Sequence, residues 1–257
     1  MTTSRGVFTP QPGAAPLWRM VLAQARMESR LMLRNGEQLL LAVVIPLIVL
    51  VGGVVAVHRL GIDLAHRPVD VLTPGVLALA IMSTAFTSLA IATGFERRYG
   101  VIKRLGSSPL PRHGLLLGKV GALLLVLVLQ AVVIGVAAVV LGWQPDVSPL
   151  AVVVTSVLGT AAFAALGLLI AGTLRAEATL AVANLVYLLL MAGGAVVVPA
   201  DQYGALGFVV TWLPSGALGE AMRQALVHAS FDGLSMAVLA AWAVVGSLLA
   251  GRFFTWE

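Results

Sequence analysis

Apolar residues fall along this chain in six long runs, at 38–57, 71–94, 115–141, 150–174, 178–198 and 234–251. Wound as α-helices, runs of about 20 residues are about 30 Å long, the thickness of a bilayer's hydrocarbon core. The pattern predicts an all-α, polytopic membrane protein with six transmembrane helices. Pro46 and the pair Gly52 and Gly53 interrupt the first run, which lipid tolerates because neighbouring helices can satisfy the freed backbone groups. Lys119 stands near the start of the third, where a lysine can snorkel to the interface. The fourth and fifth runs are joined by Arg175, Ala176 and Glu177 alone, so they are expected to form an antiparallel pair.

The flanking segments have patterns of their own. From Trp18 to Asn35 the period is helical, with Trp18, Val21, Leu22, Ala25, Met32 and Leu33 on one stripe and Arg19, Arg26, Arg30 and Arg34 on the other. This predicts an amphipathic helix lying in the interface, its arginines reaching lipid headgroup phosphates. Residues 1–17 mix Thr, Gly and Pro without apolar period and are expected to be a flexible tail, with no signal peptide removed. The domain organisation is then a tail, 1–17, and one membrane domain, 18–257. Between the fifth and sixth runs, 199–233 is too polar to cross and too apolar for a plain loop. Its pieces 204–213 and 217–226, separated by Pro214, suggest two short interfacial or re-entrant helices on the outer side. A seventh span is the alternative, and would reverse the C-terminus.

Composition agrees with a bilayer as solvent: 60% of residues are hydrophobic and 11% charged, against about 25% charged in soluble domains. A net charge of +5 does not imply nucleic acid, because no folded polar surface carries a basic patch. The charges instead set orientation. Five Lys and Arg residues lie in the N-terminal segment and six in 95–119, joined on that side by Arg175 and Arg252; the other side has Arg59, Arg67 and Arg223. The positive-inside bias therefore places both termini in the cytoplasm, and a bacterial plasma membrane is expected.

Most catalytic chemistry is missing. The chain has no cysteine, hence no disulfide or thiolate site. No Gly-x-x-x-x-Gly-Lys-Ser/Thr loop occurs; residues 114–119 have the wrong spacing and are followed by Val120, so ATP hydrolysis must come from elsewhere. His58, His66, His113 and His228 all lie outside the spans, without a His-Glu-x-x-His pair for a metal. Lys119 is the one ionisable residue in the runs, which disfavours a proton-driven carrier or an ion channel. Neutral polar residues remain inside, Ser83, Thr84, Thr87, Ser88, Gln130, Asn184 and Tyr187. They suit interhelical hydrogen bonds or a substrate cavity.

The connection between the second and third spans, 96–110, carries more information. Val101, Ile102 and Leu105 form a small apolar face among basic residues, suited to docking another protein, and Pro109 with Pro111 stops the helix. The series Glu96-Arg97-x-x-Gly100-x-x-x-Arg104-Leu105-x-x-x-Pro109-Leu110, followed by Gly118-Lys119 and a long apolar span, resembles the membrane subunits of type-2 ABC exporters, in the drug-resistance permease group. Pro199, Trp212-x-Pro214 and Glu220-Ala221-x-Arg223 look like that family's extracellular segment. Arg98 and Tyr99 stand where the family often has acidic residues, and Val101 where Thr is common, which implies an ATPase contact rewired in charge.

The resemblance implies a permease subunit that pairs with itself or with a homologous permease and binds two copies of a separate ABC ATPase. ATP and Mg would be held by that ATPase, with no cofactor in this chain. Glu96, Arg97, Gly100, Val101, Ile102, Arg104, Leu105 and Pro109 would form the coupling loop. The second and fifth spans would line the cavity, with Met82, Phe86, Asn184, Tyr187 and Met191 facing a hydrophobic or amphiphilic cargo such as a drug, lipid or lipophilic natural product. Drug efflux and antibiotic resistance are the corresponding roles. The alternative from another class is a non-transporting anchor or sensor subunit of an ATPase complex, which need not show substrate-stimulated ATP hydrolysis.

Overall fold

The computed structural model describes residues 15–34, 36–61, 67–101 and 111–254, and their regular structure is entirely helical. Ten α-helices are distinguished among them: α1 Leu17–Arg34, α2 Gly36–Leu60, α3 Pro68–Met82, α4 Leu89–Arg98, α5 Arg112–Val140, α6 Pro149–Thr173, α7 Ala176–Gly193, α8 Gly207–Thr211, α9 Pro214–Val227 and α10 Gly233–Phe253. A π-helical segment, Ser83–Ser88, joins α3 to α4, and a 3-10 helix, Ala200–Leu206, precedes α8. Six helical stretches are long and apolar enough to cross a membrane: Ala42–Arg59, Pro68–Arg98, Leu117–Val140, Pro149–Thr173, Ala176–Gly193 and Gly233–Phe253. The expected all-α class and six spans are thus observed. Residues 1–14 of the expected tail lie outside the described residues.

The starts follow local chemistry. Pro68, Pro149 and Pro214 open α3, α6 and α9, where the missing N–H is no loss and the proline ring presets a helical φ. Pro214 therefore begins a helix rather than merely separating two. Asp232 caps α10, its carboxylate accepting from the N–H groups of Leu234 at 3.1 Å and Ser235 at 3.2 Å.

Pro46 lies within α2 and cannot donate to the carbonyl of Ala42 four residues earlier. Gln130 of α5 fills that place: its Nε2 donates to the Ala42 carbonyl at 2.7 Å, and its Oε1 accepts from Thr84 Oγ1 at 3.0 Å. One buried amide thus repairs the proline and ties α2 to the π segment. This is the interhelical role expected of Thr84 and Gln130.

Three boundaries or placements differ from expectation. The second span runs beyond residue 94 to Arg98, because helical hydrogen bonding continues until Gly100 adopts φ +68°, a left-handed turn that glycine makes without a Cβ clash. The fifth span stops at Gly193 instead of 198. Residues 194–198 are irregular, with Ala195 at φ +54°, and Ala195 and Val196 are completely buried. Such backbone survives at depth when protein encloses it, and Gly75 permits the enclosure: a Cβ there would lie 2.7 Å from Val197 Cα. Lys119, expected to snorkel outward, is turned into the protein, for the reason given below.

Helix α1 also packs differently from a simple apolar stripe on lipid. Val21, Ala25 and Met32 are partly buried, but the innermost residues are the polar Gln24 and Ser29, while Trp18, Leu22 and Leu33 are exposed. Its partner is α5. A Cβ at Gly118 would lie 2.5 Å from Gln24 Cγ, and one at Gly121 would lie 3.3 Å from Ala25 Cβ, so two glycines one turn apart let the helices meet closely. Arg19, Arg26, Arg30 and Arg34 are all exposed, and the Arg19 guanidinium lies 5.2 Å from the Trp18 ring centroid.

Candidate functional site

The ends of α4, α6 and α10 and the starts of α5 and α7 gather at one end of the bundle beside α1. Here Glu96, Arg97 and Arg98 close α4. Successive residues of a helix point about 100° apart, so these three side chains fan out to three different neighbours. Glu96 Oε1 accepts from Lys119 Nζ of α5 at 2.6 Å, and the same ammonium lies 3.2 Å from Glu28 Oε1 of α1. Gln24 Nε2 supports Glu28 at 2.9 Å. Arg97 donates from Nη1 to the carbonyl of Gly172 at 2.6 Å and from Nη2 to that of Leu174 at 2.5 Å, satisfying the free carbonyl end of α6 with a positive charge. Arg98 pairs with Glu177 in the first turn of α7.

The lysine is explained by this arrangement. Its side chain is 11% exposed, Glu28 12% and Glu96 22%. Removing such charges from water is costly, and Lys119 offsets this by facing both carboxylates, of which Glu28 also accepts from Gln24 while Glu96 Oε2 has no hydrogen-bond partner among the described residues. Glu28 was not singled out in the sequence; its signal was a lone acidic residue four positions after Gln24 on the α1 face that carries Ala25 and Ser29.

Beyond α4 the chain turns at Tyr99 and Gly100. Tyr99 stacks on Phe95 at 6.1 Å, and Val101 is exposed. Ile102, Arg104, Leu105 and Pro109 lie outside the described residues. Gly94, Arg97, Arg98, Gly100, Arg175 and Glu177 line an open polar cleft of about 510 Å³ directly beside this segment. Glu96 and Arg97 therefore belong to the protein's own framework, whereas Val101 is presented outward.

The cavity candidates do not converge. Met82 and Phe86 are 0% and 2% exposed, with Phe86 meeting Phe163 edge-on at 6.3 Å. Tyr187 and Met191 are partly buried against the same core, and Asn184 faces outward. The π segment between Met82 and α4 was not legible in the sequence; α6 approaches it so closely that a Cβ at Gly167 would lie 2.8 Å from the Phe86 carbonyl oxygen.

At the opposite end, α9 is wedged among α3, α6 and α10 and buries most of its residues. Arg223 is 6% exposed; it donates to Glu220 at 3.1 Å, to the Val196 carbonyl at 3.4 Å and to the Ala195 carbonyl at 3.3 Å. Burial draws the guanidinium below its ordinary pKa range, and the Glu220 carboxylate opposes that shift. This clamp holds the irregular stretch that follows α7. Pro199 and the Glu220–Arg223 pair border a mostly apolar pocket of about 390 Å³, at whose edge Asp70, Asp201 and His228 also lie. Trp212 lies apart, half exposed, its carbonyl accepting from the indole of Trp242 at 3.0 Å.

Residues 15–227 match the model of the ABC-2 type transporter membrane family. The chain belongs to that family. The match takes in α1, five of the six spans and the whole of α8 and α9. No curated protein matches the chain. This ABC-2 chain is therefore the multi-pass permease component of an ABC transporter, a membrane part that is not itself the ATPase. The basic end, where α4 is fastened to α5, α6 and α7, and through Lys119 to α1, just before residues 99–110, is its candidate coupling site.

Proposed function

We propose that this ABC-2 permease is the membrane half of an ATP-driven exporter for hydrophobic or amphiphilic compounds, with both termini cytoplasmic and two ATPase copies serving a pair of permeases. The observation that carries the proposal is the fan of Glu96, Arg97 and Arg98, which connects the head of segment 99–110 to α1, α5, α6 and α7. A force applied to that segment reaches four helices through short polar contacts. Val101, Ile102 and Leu105, with Gly100 at the turn, dock on the ATPase; Arg104 and Pro109 shape the segment. ATP and Mg are held by the ATPase. Tyr187 and Met191 border the cargo path, with Met82 and Phe86 behind them, offering aromatic and thioether surface without charge. Helices α8 and α9 form a re-entrant outer closure, held by Arg223.

The test begins with a mild-detergent pull-down of the tagged chain from native membranes. Recovery of a Walker-motif subunit in equal stoichiometry is expected. In vesicles reconstituted with that subunit, ATP should drive cargo out of the cytoplasmic side, and Val101→Asp or Leu105→Asp should abolish transport while the permease still inserts. A bare permease that ignores ATP and candidate ATPases would overturn the proposal. Binding of the ATPase without any cargo-stimulated hydrolysis would favour a sensor subunit instead.

A further inference from the structure

The cleft beside the end of α4 carries more positive charge than the framework uses. Its walls hold three arginines and one carboxylate: Arg97 and Arg98 at the end of α4, and Arg175 and Glu177 where α7 begins. Arg97 is spent on the carbonyl end of α6, and Arg98 on Glu177. The Arg175 guanidinium is exposed and has no ion pair or hydrogen bond among the described residues. A surplus of positive charge therefore faces one opening of about 510 Å³.

The floor points to the same kind of ligand. Gly94 forms part of it. Behind Gly94 lies Thr179 of α7, completely buried, whose Oγ1 has no hydrogen-bond partner among the described residues. That hydroxyl is 3.5 Å from where a Cβ on Gly94 would stand. Leaving a buried donor unpaired is unfavourable, and a ligand oxygen seated on the glycine comes within its reach. Guanidinium groups at the rim and a neutral donor at the floor form a set of donors suited to a phosphate.

Position identifies the source of that phosphate. The cleft lies between the end of the span Pro68–Arg98 and the start of the span Ala176–Gly193, so its rim is at the level of lipid headgroups. Leu174 and Arg175 alone join α6 to α7, which leaves no loop there to reach a soluble partner. Leu180, one turn into α7 from Ala176, is exposed on the same side and gives an acyl chain an apolar track. Basic pockets between spans at the cytoplasmic face are suited to anionic lipid headgroups.

We propose that this cleft binds the phosphate of an anionic lipid of the cytoplasmic leaflet, with Arg175 and Arg98 on the headgroup and the Thr179 hydroxyl on a phosphate oxygen. The choice of leaflet rests on the basic end being cytoplasmic. The lipid is a resident ligand at the joint of α4 and α7 and is distinct from the cargo. Glu177 competes with it for Arg98.

The test uses the purified full chain in mixed micelles of detergent and phosphatidylcholine. Phosphatidylglycerol is titrated in, and the lipid-bound fraction is read by native mass spectrometry. Preference for phosphatidylglycerol over phosphatidylcholine is expected. Arg175→Gln should weaken its retention roughly 5-fold, the effect of one basic residue near an anionic headgroup, and Thr179→Val roughly 2- to 10-fold. Glu177→Gln should strengthen retention roughly 2- to 5-fold by freeing Arg98, a gain that a purely structural pair would not give. Arg252→Gln, exposed at the same end, should change nothing. Equal retention of the two lipids, an equal loss with Arg252→Gln, or displacement by inorganic phosphate at the lipid's own concentration would overturn the proposal. So would unaltered lipid retention in Arg175→Gln together with loss of ATPase recovery, which would assign the cleft to the protein partner. Neither ATP nor cargo enters the lipid titration, so a chain that never exports but keeps the lipid would sink the exporter reading alone.

Discussion

Gln130 shows how much a single side chain settles inside a membrane protein. It occupies the carbonyl that Pro46 leaves open, which hydrocarbon could not satisfy. Gln130→Leu should therefore cost about 1–3 kcal/mol, the penalty of an unsatisfied buried acceptor. Pro46→Ala in the same background should recover part of it, because alanine restores the missing N–H. Denaturation of the purified chain in mixed micelles, arranged as a double-mutant cycle, checks both; equal losses with and without the proline would refute the pairing. Lys119 poses the opposite case. Lys119→Met leaves Glu28 and Glu96 facing each other without their shared cation, and a loss of about 3–5 kcal/mol is expected by the same assay. The sequence placed Lys119 near a span end, but the burial of its head depends on Glu28 and Glu96, which are remote along the chain.

Among the elements, α4 is the one whose role depends most on its end. Arg97 fastens α4 to the carbonyl terminus of α6, so Arg97→Gln should leave insertion and ATPase binding intact while lowering transport about 2- to 30-fold, the usual range for altered coupling. Efflux measured beside ATPase recovery decides this, and undiminished efflux would remove Arg97 from the coupling route. The π segment makes a separate demand on α6. Gly167→Val places a Cβ where the Phe86 carbonyl leaves 2.8 Å, and should destabilise the chain by about 1–3 kcal/mol through overpacking. Apolar periodicity revealed α3 and α4 as one span, yet could not reveal the π segment, because that irregularity is set by how α6 packs beside it. The same holds for the end of α7: residues 194–198 are apolar enough to continue a helix, and it is enclosure by α3 and α9 that keeps them irregular.

The whole molecule places its polar clusters at opposite ends, with the Glu28, Lys119 and Glu96 cluster at one and Arg223 with Glu220 at the other. The count of basic residues predicts which end is cytoplasmic. Val101→Cys, at the basic end, should react with an impermeant thiol reagent only from the cytoplasmic side, and Phe231→Cys, exposed at the opposite end, only from outside. The reverse labelling would invert the topology and, with it, the proposed direction of transport. The proposed coupling segment is legible as a motif because its charges interrupt an apolar chain. The cavity was not: Met82 and Phe86 share suitable chemistry with Tyr187 and Met191, but chemistry alone does not say which faces are shut in a core.

The sequence by itself determined the solvent, the helical class and the number of spans, because hydrophobic length and helical period are local properties of the chain. It also marked the family through motifs whose order is written along one line. Only the tertiary structure decided that Glu96, Arg97 and Arg98 reach three different neighbours, that Gln130 repairs Pro46, that Arg223 holds the backbone after α7, and that Asn184 is left bare. Each of these depends on residues far apart in sequence meeting within hydrogen-bonding distance, or failing to meet. Packing fixes such encounters, and periodicity cannot express them.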